Sequence, residues 1–509
     1  MELMTYRGHI RNWQELCQTL ELDETLSRRE REEAILLAGY EKWGYELPKH
    51  IYGMFAFAIK DGDKLYLVRD QFGTKPMYYY VTDKNTLLYG TMIRDFMDDP
   101  DFHKELNRDM LQIYLSLTYA AGENTFFKGV KKVMPGHYVV FENGQLTITR
   151  YWNPEFHPDK EKTLDAWADE IYSTVADIFK QVKTPDEEAG SFLSSGVDSS
   201  FVMAMSDVKT TYSCGYDDQR FDESPLAKVT ADQFGRGFSR CLITPERYFD
   251  VVPFTMYNME QPLGDASAIS FTIACLETAK DVKICYSGEG ADEFFGGYNM
   301  YRNAERYGDN LRNFYVGNTN IMKEDDKKKI LKYYKEDYLP INLVQKDYDE
   351  MEGLDPLSKM SLIDIKVWLD GDIYLNVDKM STAAGLEIRM PLTDLRVFDI
   401  ASRLPSCYKV NDTQNKVALR TAAAKVLPEE VAFRKKLGFI VPIRMWLADD
   451  RYNGDVKRLF NSDIAEEFFD VQAINQIFDD YVNVNSDLWR IVWTIYVFLV
   501  WYEEYFVKR

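Results

Sequence analysis

The chain has 509 residues, 46% hydrophobic and 14% aromatic, which is enough to build substantial cores and excludes disorder as its dominant state. With 61 Lys and Arg against 82 Asp and Glu, its formal net charge of −21 argues against a nucleic-acid partner. The six cysteines, Cys17, Cys214, Cys241, Cys275, Cys285 and Cys407, contain no Cys-x-x-Cys pair; neither a disulfide framework nor a structural zinc site is expected, and a reducing cytoplasm fits best.

The start, Met1-Glu2-Leu3-Met4-Thr5, lacks a basic region followed by an apolar one and does not read as a targeting signal. Trp13 to Leu20 reads as a helix with Cys17 in core packing. Met54 to Ile59, the turn Asp61-Gly62-Asp63 and Lys64 to Val68 predict strand, tight turn, strand. Further pairs follow at Met77 to Val81 with Thr86 to Tyr89, and at His137 to Phe141 with Gln145 to Ile148 across Glu142-Asn143-Gly144. This makes a β-rich domain over residues 1–153, bounded by the polar, proline-containing segment Trp152 to Lys160. A second domain, residues 165–509, opens with short apolar runs alternating with helical stretches. These are Gly190 to Leu193 then Ser199 to Met205, Thr211 to Tyr216 then Glu223 to Phe234, and Lys283 to Tyr286 then Glu293 to Ala304. Strand and helix alternating at this spacing predict a parallel sheet. From about residue 306 the pattern is mostly helical, with Lys323 to Lys329 read as a solvated helix face. The apolar run Ile491 to Tyr502 is well short of the roughly 20 residues that span a bilayer, and reads as a buried helix.

All five histidines, His9, His50, His103, His137 and His157, lie in the first third of the chain. Chemistry in the larger domain therefore has to run on carboxylates, Lys, Arg, backbone amides or a bound cation. The strongest signal there is Leu193-Ser194-Ser195-Gly196-Val197-Asp198-Ser199-Ser200, between a predicted strand and a predicted helix. Small residues at a helix N-terminus present free N–H groups to an anion, and serine hydroxyls add donors. The loop lacks the Gly-Lys-Ser/Thr of the Walker sequence, and Asp198 would repel phosphate unless a cation such as Mg2+ lay between them. An ordinary strand-to-helix turn with an N-cap would carry similar letters. A second loop of the same kind, Ser287-Gly288-Glu289-Gly290-Ala291-Asp292-Glu293, follows the strand ending at Tyr286. Two such loops at the C-terminal strand ends predict one nucleotide site with two metal-binding carboxylates, Asp198 and Asp292.

Together these two loops resemble the ATP pyrophosphatase domain of the asparagine synthetase B family. The resemblance extends through Asp378-Lys379-Met380-Ser381, Leu386 to Pro391, Lys416-Val417-Ala418-Leu419-Arg420 and Arg434 to Phe439, and covers nearly the whole chain. It implies an adenine-nucleotide alpha-hydrolase-like α/β fold with a helical C-terminal part. It also implies an ATP-dependent ligase that adenylates the side-chain carboxylate of aspartate, releases pyrophosphate, and forms an amide with ammonia. By resemblance, Leu193 and Cys214 line the adenine pocket, Ser287 and Gly288 contact the AMP portion, and Ser194 to Ser200 hold pyrophosphate. Asp198 and Asp292 would bind Mg2+, Glu289 would take a proton from the attacking nitrogen, and Lys436 would stabilise charge on the α-phosphate. With no histidine in the domain, a carboxylate is the available base. In the related β-lactam synthetases a tyrosine occupies the position of Glu289, so external ammonia is favoured over ring closure. The expected partners are small molecules, namely aspartate, ATP and ammonia or glutamine, and the family expectation is a homodimer.

Residues 47–80 also resemble the family's Ntn-type glutamine amidotransferase domain, through Gly53 to Ala58 and Arg69 to Tyr79. A complete member uses an N-terminal cysteine as nucleophile. Here the chain begins Met1-Glu2, and the Cys-Gly-Ile and Arg-Gly-Pro-Asp segments are absent. The family's Tyr-Asn-Gly-Glu segment corresponds to Tyr6-Arg7-Gly8-His9, and its glutamine-binding Asp falls near Glu32. An Arg could still stabilise an oxyanion, but His9 cannot replace a carboxylate that grips an ammonium group. Either the recorded start is too late or the glutaminase has decayed. Because Arg7 and His9 are substitutions inside the retained part, an inactive glutaminase is the favoured expectation.

Overall fold

The computed structural model describes residues 1–182, 188–435, 438 and 440–508. Eight strands lie in the first 150 residues: β1 (Glu2–Ile10), β2 (Gly53–Asp61), β3 (Lys64–Arg69), β4 (Tyr78–Val81), β5 (Leu87–Gly90), β6 (Lys131–Lys132), β7 (His137–Glu142) and β8 (Gln145–Arg150). They form an antiparallel sheet of order β1-β2-β3-β7-β8 and a smaller one of order β5-β4-β6. The alternation along β2 explains the layering, because successive side chains of a strand point to opposite faces. Phe55, Phe57 and Ile59 pack with Leu16, Cys17, Ile35 and Leu36 of the helices Trp13–Leu20 and Arg28–Trp43. Ala56 and Ala58 instead join Leu67, Met77, Tyr79 and Val139 between the two sheets. The segment Tyr6-Arg7-Gly8-His9 lies inside β1, a strand whose polar letters conceal it in the sequence.

The second half contains β9 (Ala189–Phe192), β10 (Thr210–Tyr216), β11 (Gly237–Ile243), β12 (Ile284–Tyr286) and β13 (Glu387–Arg389), all parallel, in the order β11-β10-β9-β12-β13. The chain steps outward from β9 to β11 and then returns across β9 to β12. The reversal therefore falls between β9 and β12, whose C-terminal ends carry the two Ser/Gly loops, and such a reversal opens a ligand crevice. Where one helix was expected from Glu293 to Ala304, the structure has a short helix, Ala291–Phe295, and a separate turn, Asn299–Asn303. Gly296, at φ 77°, ends the first in a left-handed conformation that glycine tolerates. The charged stretch is the helix Glu324–Ile330, but its Lys327 is fully buried against Glu324 at 2.6 Å, so the face is not wholly solvated. The apolar run is the core helix Trp489–Tyr502. No helix among the described residues is long and apolar enough to cross a membrane.

Ion pairs, most with a buried carboxylate, join the two halves. Asp370 lies between Arg69 (2.7 Å) and Lys132 (3.0 Å), and Asp378 between Arg7 (3.0 Å) and Lys75 (2.9 Å). Asp394 lies between Arg11 (3.0 Å) and Arg396 (2.8 Å), and Glu387 between Arg28 (2.6 Å) and Arg389 (2.7 Å). Glu260 contacts Arg94 at 3.2 Å and also Lys379. Each carboxylate comes from the second half and at least one of its cations from the first. A buried charge stripped of one partner costs about 3 to 5 kcal/mol. Arg69→Met is therefore expected to lower unfolding free energy by about that much, read from urea unfolding. Burial alone would raise the Asp378 carboxyl, but Arg7 and Lys75 outweigh it and hold it at about 2. Its stabilisation, about 2 to 3 kcal/mol, is complete above the unfolded-state value near 4 and lost as pH falls toward 2. Urea midpoints measured from pH 6 down to pH 2 should fall accordingly.

Candidate active site

The first loop leaves β9 at Leu193 and enters the helix Val197–Met205. It is closed on its own hydroxyls. The Ser194 N–H donates to Ser199 Oγ at 3.0 Å, the two hydroxyl oxygens lie 2.9 Å apart, and the Gly196 N–H donates to Ser194 Oγ at 3.1 Å. These serine oxygens are the acceptors that a phosphate oxygen would replace at the helix N-terminus. Ser195 is engaged elsewhere: its hydroxyl donates to Glu223 at 2.5 Å and its carbonyl accepts from Arg434 at 3.1 Å. Ser200 is fully buried at the start of the helix. Leu193, also buried, donates its N–H to the Tyr212 carbonyl at 2.8 Å, on the strand that carries Cys214. Burial pushes the Cys214 thiol far up, so at neutral pH it is an inert wall rather than a nucleophile.

The second loop leaves β12 with Ser287, whose N–H donates to the Arg389 carbonyl at 3.0 Å and whose hydroxyl donates to Glu289 at 3.3 Å. The Glu289 carbonyl accepts from Thr393 at 3.0 Å, which fixes the loop from the far side. Gly288 permits contact between the two loops. A Cβ there would lie 2.9 Å from Asp198 Cβ and 3.0 Å from the Ser199 nitrogen, both close enough to force the loops apart.

The two candidate metal carboxylates meet on one lysine. Lys416 Nζ is 2.5 Å from Asp198 Oδ2 and 2.8 Å from Asp292 Oδ1, and its side chain is only 2% exposed. Burial pulls the ammonium down, but the two carboxylates outweigh it and raise its pKa, so Lys416 is charged. Gly297 leaves the space for this arrangement, since a Cβ there would sit 1.8 Å from Asp292 Oδ1 and 2.2 Å from Lys416 Cε. Arg420, one turn along the helix Val417–Ala423, donates to the Ala432 and Arg434 carbonyls at 2.6 and 3.0 Å. It thereby ties the Arg434 segment to the site. Lys436, the expected catalytic lysine, lies outside the described residues.

Mg2+ fits the residues present. Asp198 Oδ1 is buried without a hydrogen-bond partner among the described residues, and two carboxylates on touching loops suit a hard divalent ion. Asp198 and Asp292 would hold it, and it would supply charge neutralisation for the phosphates.

Of the residues expected at the glutamine site, the structure brings His9 and Glu32 together and turns Arg7 away. Glu32 accepts from Tyr6 Oη (2.9 Å), the Ile10 N–H (3.0 Å) and His9 Nδ1 (3.2 Å). Burial pulls the His9 imidazole below its usual pKa despite the Glu32 hydrogen bond. Arg7 contacts Asp378 and Thr382 in the other half of the chain. Gly8 packs tightly against β2, since a Cβ on it would meet the Met54 carbonyl oxygen at 2.1 Å.

This geometry is that of a parallel-sheet α/β domain joined to a domain of antiparallel sheets. The asparagine synthase family model matches residues 170–503, and the glutamine amidotransferase domain model matches residues 1–152. The chain belongs to the asparagine synthase family. It is 32% identical to a glutamine-hydrolysing asparagine synthetase of Bacillus subtilis, over 99% of this chain and 86% of that protein. A putative asparagine synthetase of Mycobacterium tuberculosis is 29% identical over 98% of this chain and 84% of its own length. An amidase of Gibberella zeae is 30% identical over 53% of this chain and 43% of its own.

Lys416 had no role assigned from the sequence, although it heads a motif that carries the resemblance. Nothing in its neighbourhood of the chain signals two acids that lie 218 and 124 positions away. Removing a preorganised charge-stabilising group typically costs about 10²- to 10³-fold in rate. Lys416→Met is therefore expected to lower acid-dependent ATP–pyrophosphate exchange by that factor, measured with labelled pyrophosphate.

Proposed function

We propose that this protein activates the side-chain carboxylate of aspartate with ATP and converts it to an amide with ammonia, as an asparagine synthetase whose glutaminase half is inactive. The observation that carries this reading is the Asp198–Lys416–Asp292 group beneath two Ser/Gly loops at the reversal of the parallel sheet. In the first step a carboxylate oxygen of the acid attacks the α-phosphorus. The bond to the bridging α–β oxygen breaks, and pyrophosphate leaves with that electron pair. N–H groups of the loop opening the helix Val197–Met205 and the Lys416 ammonium stabilise the growing charge on the leaving oxygens, and Lys436 is proposed to act on the α-phosphate. In the second step the ammonia nitrogen attacks the acyl carbon, and the acyl C–O bond to AMP breaks. The surplus proton on nitrogen passes to Glu289, a half-buried carboxylate in the loop after β12. Leu193 and Cys214 are proposed to flank adenine, with Ser287 and Gly288 against the AMP portion.

The inactive glutaminase is supported by the engagement of its candidate residues. Glu32 is only 1% exposed and already accepts from Tyr6, His9 and Ile10, and Arg7 is paired with Asp378. A second reading, in which another carboxylic acid is activated, is favoured by the partial likeness to a fungal amidase.

Incubation with aspartate, MgATP and ammonium is expected to yield AMP, pyrophosphate and asparagine, and absence of AMP with every acid tried would refute the proposal. Glutamine in place of ammonium should give neither glutamate nor asparagine above background. Glu289→Gln should reduce amide formation by about 10²-fold or more while leaving pyrophosphate exchange much less affected, because a general base acts only in the second step.

A further inference from the structure

The loop that carries Glu289 is held from outside by two hydroxyl groups that the mechanism above does not use. Tyr374 is the first residue of the helix Tyr374–Ala384, and Thr393 closes the short turn Pro391–Thr393 after β13. Both side chains are buried, at 0% and 2% exposure. The Thr393 hydroxyl donates to the Glu289 carbonyl at 3.0 Å, and its oxygen lies 3.1 Å from Tyr374 Oη. A threonine hydroxyl has one hydrogen and a carbonyl can only accept, so the direction of both bonds is fixed. Tyr374 donates to Thr393, and Thr393 donates to Glu289. Bonds in such a chain polarise and strengthen each other away from water.

The peptide that receives this chain is shaped for it. Gly290 has φ 87°, a left-handed conformation suited to glycine, and a Cβ there would lie 2.5 Å from Tyr374 Oη and 2.7 Å from Thr393 Oγ1. Glycine thus lets both hydroxyls pack against the link between Glu289 and Gly290. At the other end of the same residue, the Ser287 hydroxyl donates to the Glu289 carboxylate at 3.3 Å. Glu289 is therefore gripped at its carbonyl and at its carboxylate by separate elements.

The segments that supply the two hydroxyls are themselves tethered. Asp378, one turn beyond Tyr374 in its helix, pairs with Arg7 and Lys75, and Asp394, next to Thr393, pairs with Arg11 and Arg396. Arg11 also donates to the Met390 carbonyl at 2.8 Å. Supports locked in this way hold a reacting group more precisely than a free loop does. An apolar pair of similar size would fill the same space, but it would leave the Glu289 carbonyl without this donor.

We propose that Tyr374 and Thr393 are positioning residues for the amide-forming step: their hydroxyl chain sets the placement of the Glu289 peptide and so aims the Glu289 carboxylate at the attacking nitrogen. This rests on the general-base role proposed for Glu289. Misplacing a reacting group by about 1 Å can cost about 10²-fold in rate. Activation of the acid relies instead on the loop opening the helix Val197–Met205 and on Lys416, so the two steps should respond differently.

The experiment is a double-mutant cycle on the full chain, pairing Thr393→Val with Glu289→Gln. It reads asparagine formation at saturating aspartate, MgATP and ammonium, beside ATP–pyrophosphate exchange. Thr393→Val keeps the side-chain shape and removes the donor; it should lower asparagine formation about 10- to 100-fold while changing exchange by no more than about threefold. Tyr374→Phe, which leaves Thr393 in place but unoriented, should have a smaller effect in the same direction, and Thr393→Ser should recover most of the rate. In the Glu289→Gln background Thr393→Val should cost less than about twofold, since a base that is absent needs no aiming. A purely structural role predicts the same loss in both backgrounds, or equal losses in amide formation and exchange. Either result overturns this inference, as does an unchanged rate in Thr393→Val. If Thr393→Val does not fold, Tyr374→Phe carries the cycle. Undiminished amide formation in Glu289→Gln, or no asparagine formation in the wild type, removes the reading above and this inference with it.

Discussion

A buried charge is costly unless opposite charges or hydrogen-bond donors surround it, and this protein uses that constraint both to join its halves and to build its candidate site. At the junction the arrangement is one carboxylate between two cations, as in Arg69–Asp370–Lys132 and Arg7–Asp378–Lys75. Beneath the loops it is inverted, one cation between two carboxylates, Asp198–Lys416–Asp292. The junction groups carry surplus positive charge and are closed by the fold. The site group carries a surplus negative charge and an Asp198 oxygen without a partner among the described residues, which suits a divalent cation. Opposite stoichiometries thus separate structural from functional use of the same residue types.

The junction also gives Arg7 a physical role. The polar residues of β1 lie beside the second half of the chain. Arg7 contacts Asp378 and Thr382, and Arg11 contacts Asp394 and the Met390 carbonyl. Both cations on Asp370, and both on Asp378, come from the first half, so without it these two buried carboxylates would lose their ion pairs. Asp378 and Glu387, which belong to motifs that carry the family resemblance, sit at this junction rather than beside the phosphate loop.

The shape of the candidate site follows from backbone economy at the sheet reversal. Gly288 lets two strand-to-helix loops touch, and Gly297 lets Lys416 and Asp292 approach. The serines of the first loop occupy its N–H groups with their own hydroxyls, so the anion-binding end of the helix is held in shape before any ligand arrives.

Local pattern was enough to read the hairpin β2–β3, the pair β7–β8, the parallel strand β10, both Ser/Gly loops and the core helix near the C-terminus. Alternation and turn chemistry are written in neighbouring residues. β1 escaped because Arg7, Gly8 and His9 are polar residues whose strand is imposed by pairing with β2, and the division at Gly296 escaped because apolar spacing continues across it. By itself the sequence determined the two-part organisation, the two Ser/Gly loops after parallel strands and the absence of histidine from the larger part. Only the tertiary structure decided that Lys416 stands between Asp198 and Asp292 and that Arg7 faces Asp378. Those contacts join residues far apart in the chain, and electrostatic pairing across such separations leaves no trace in local spacing.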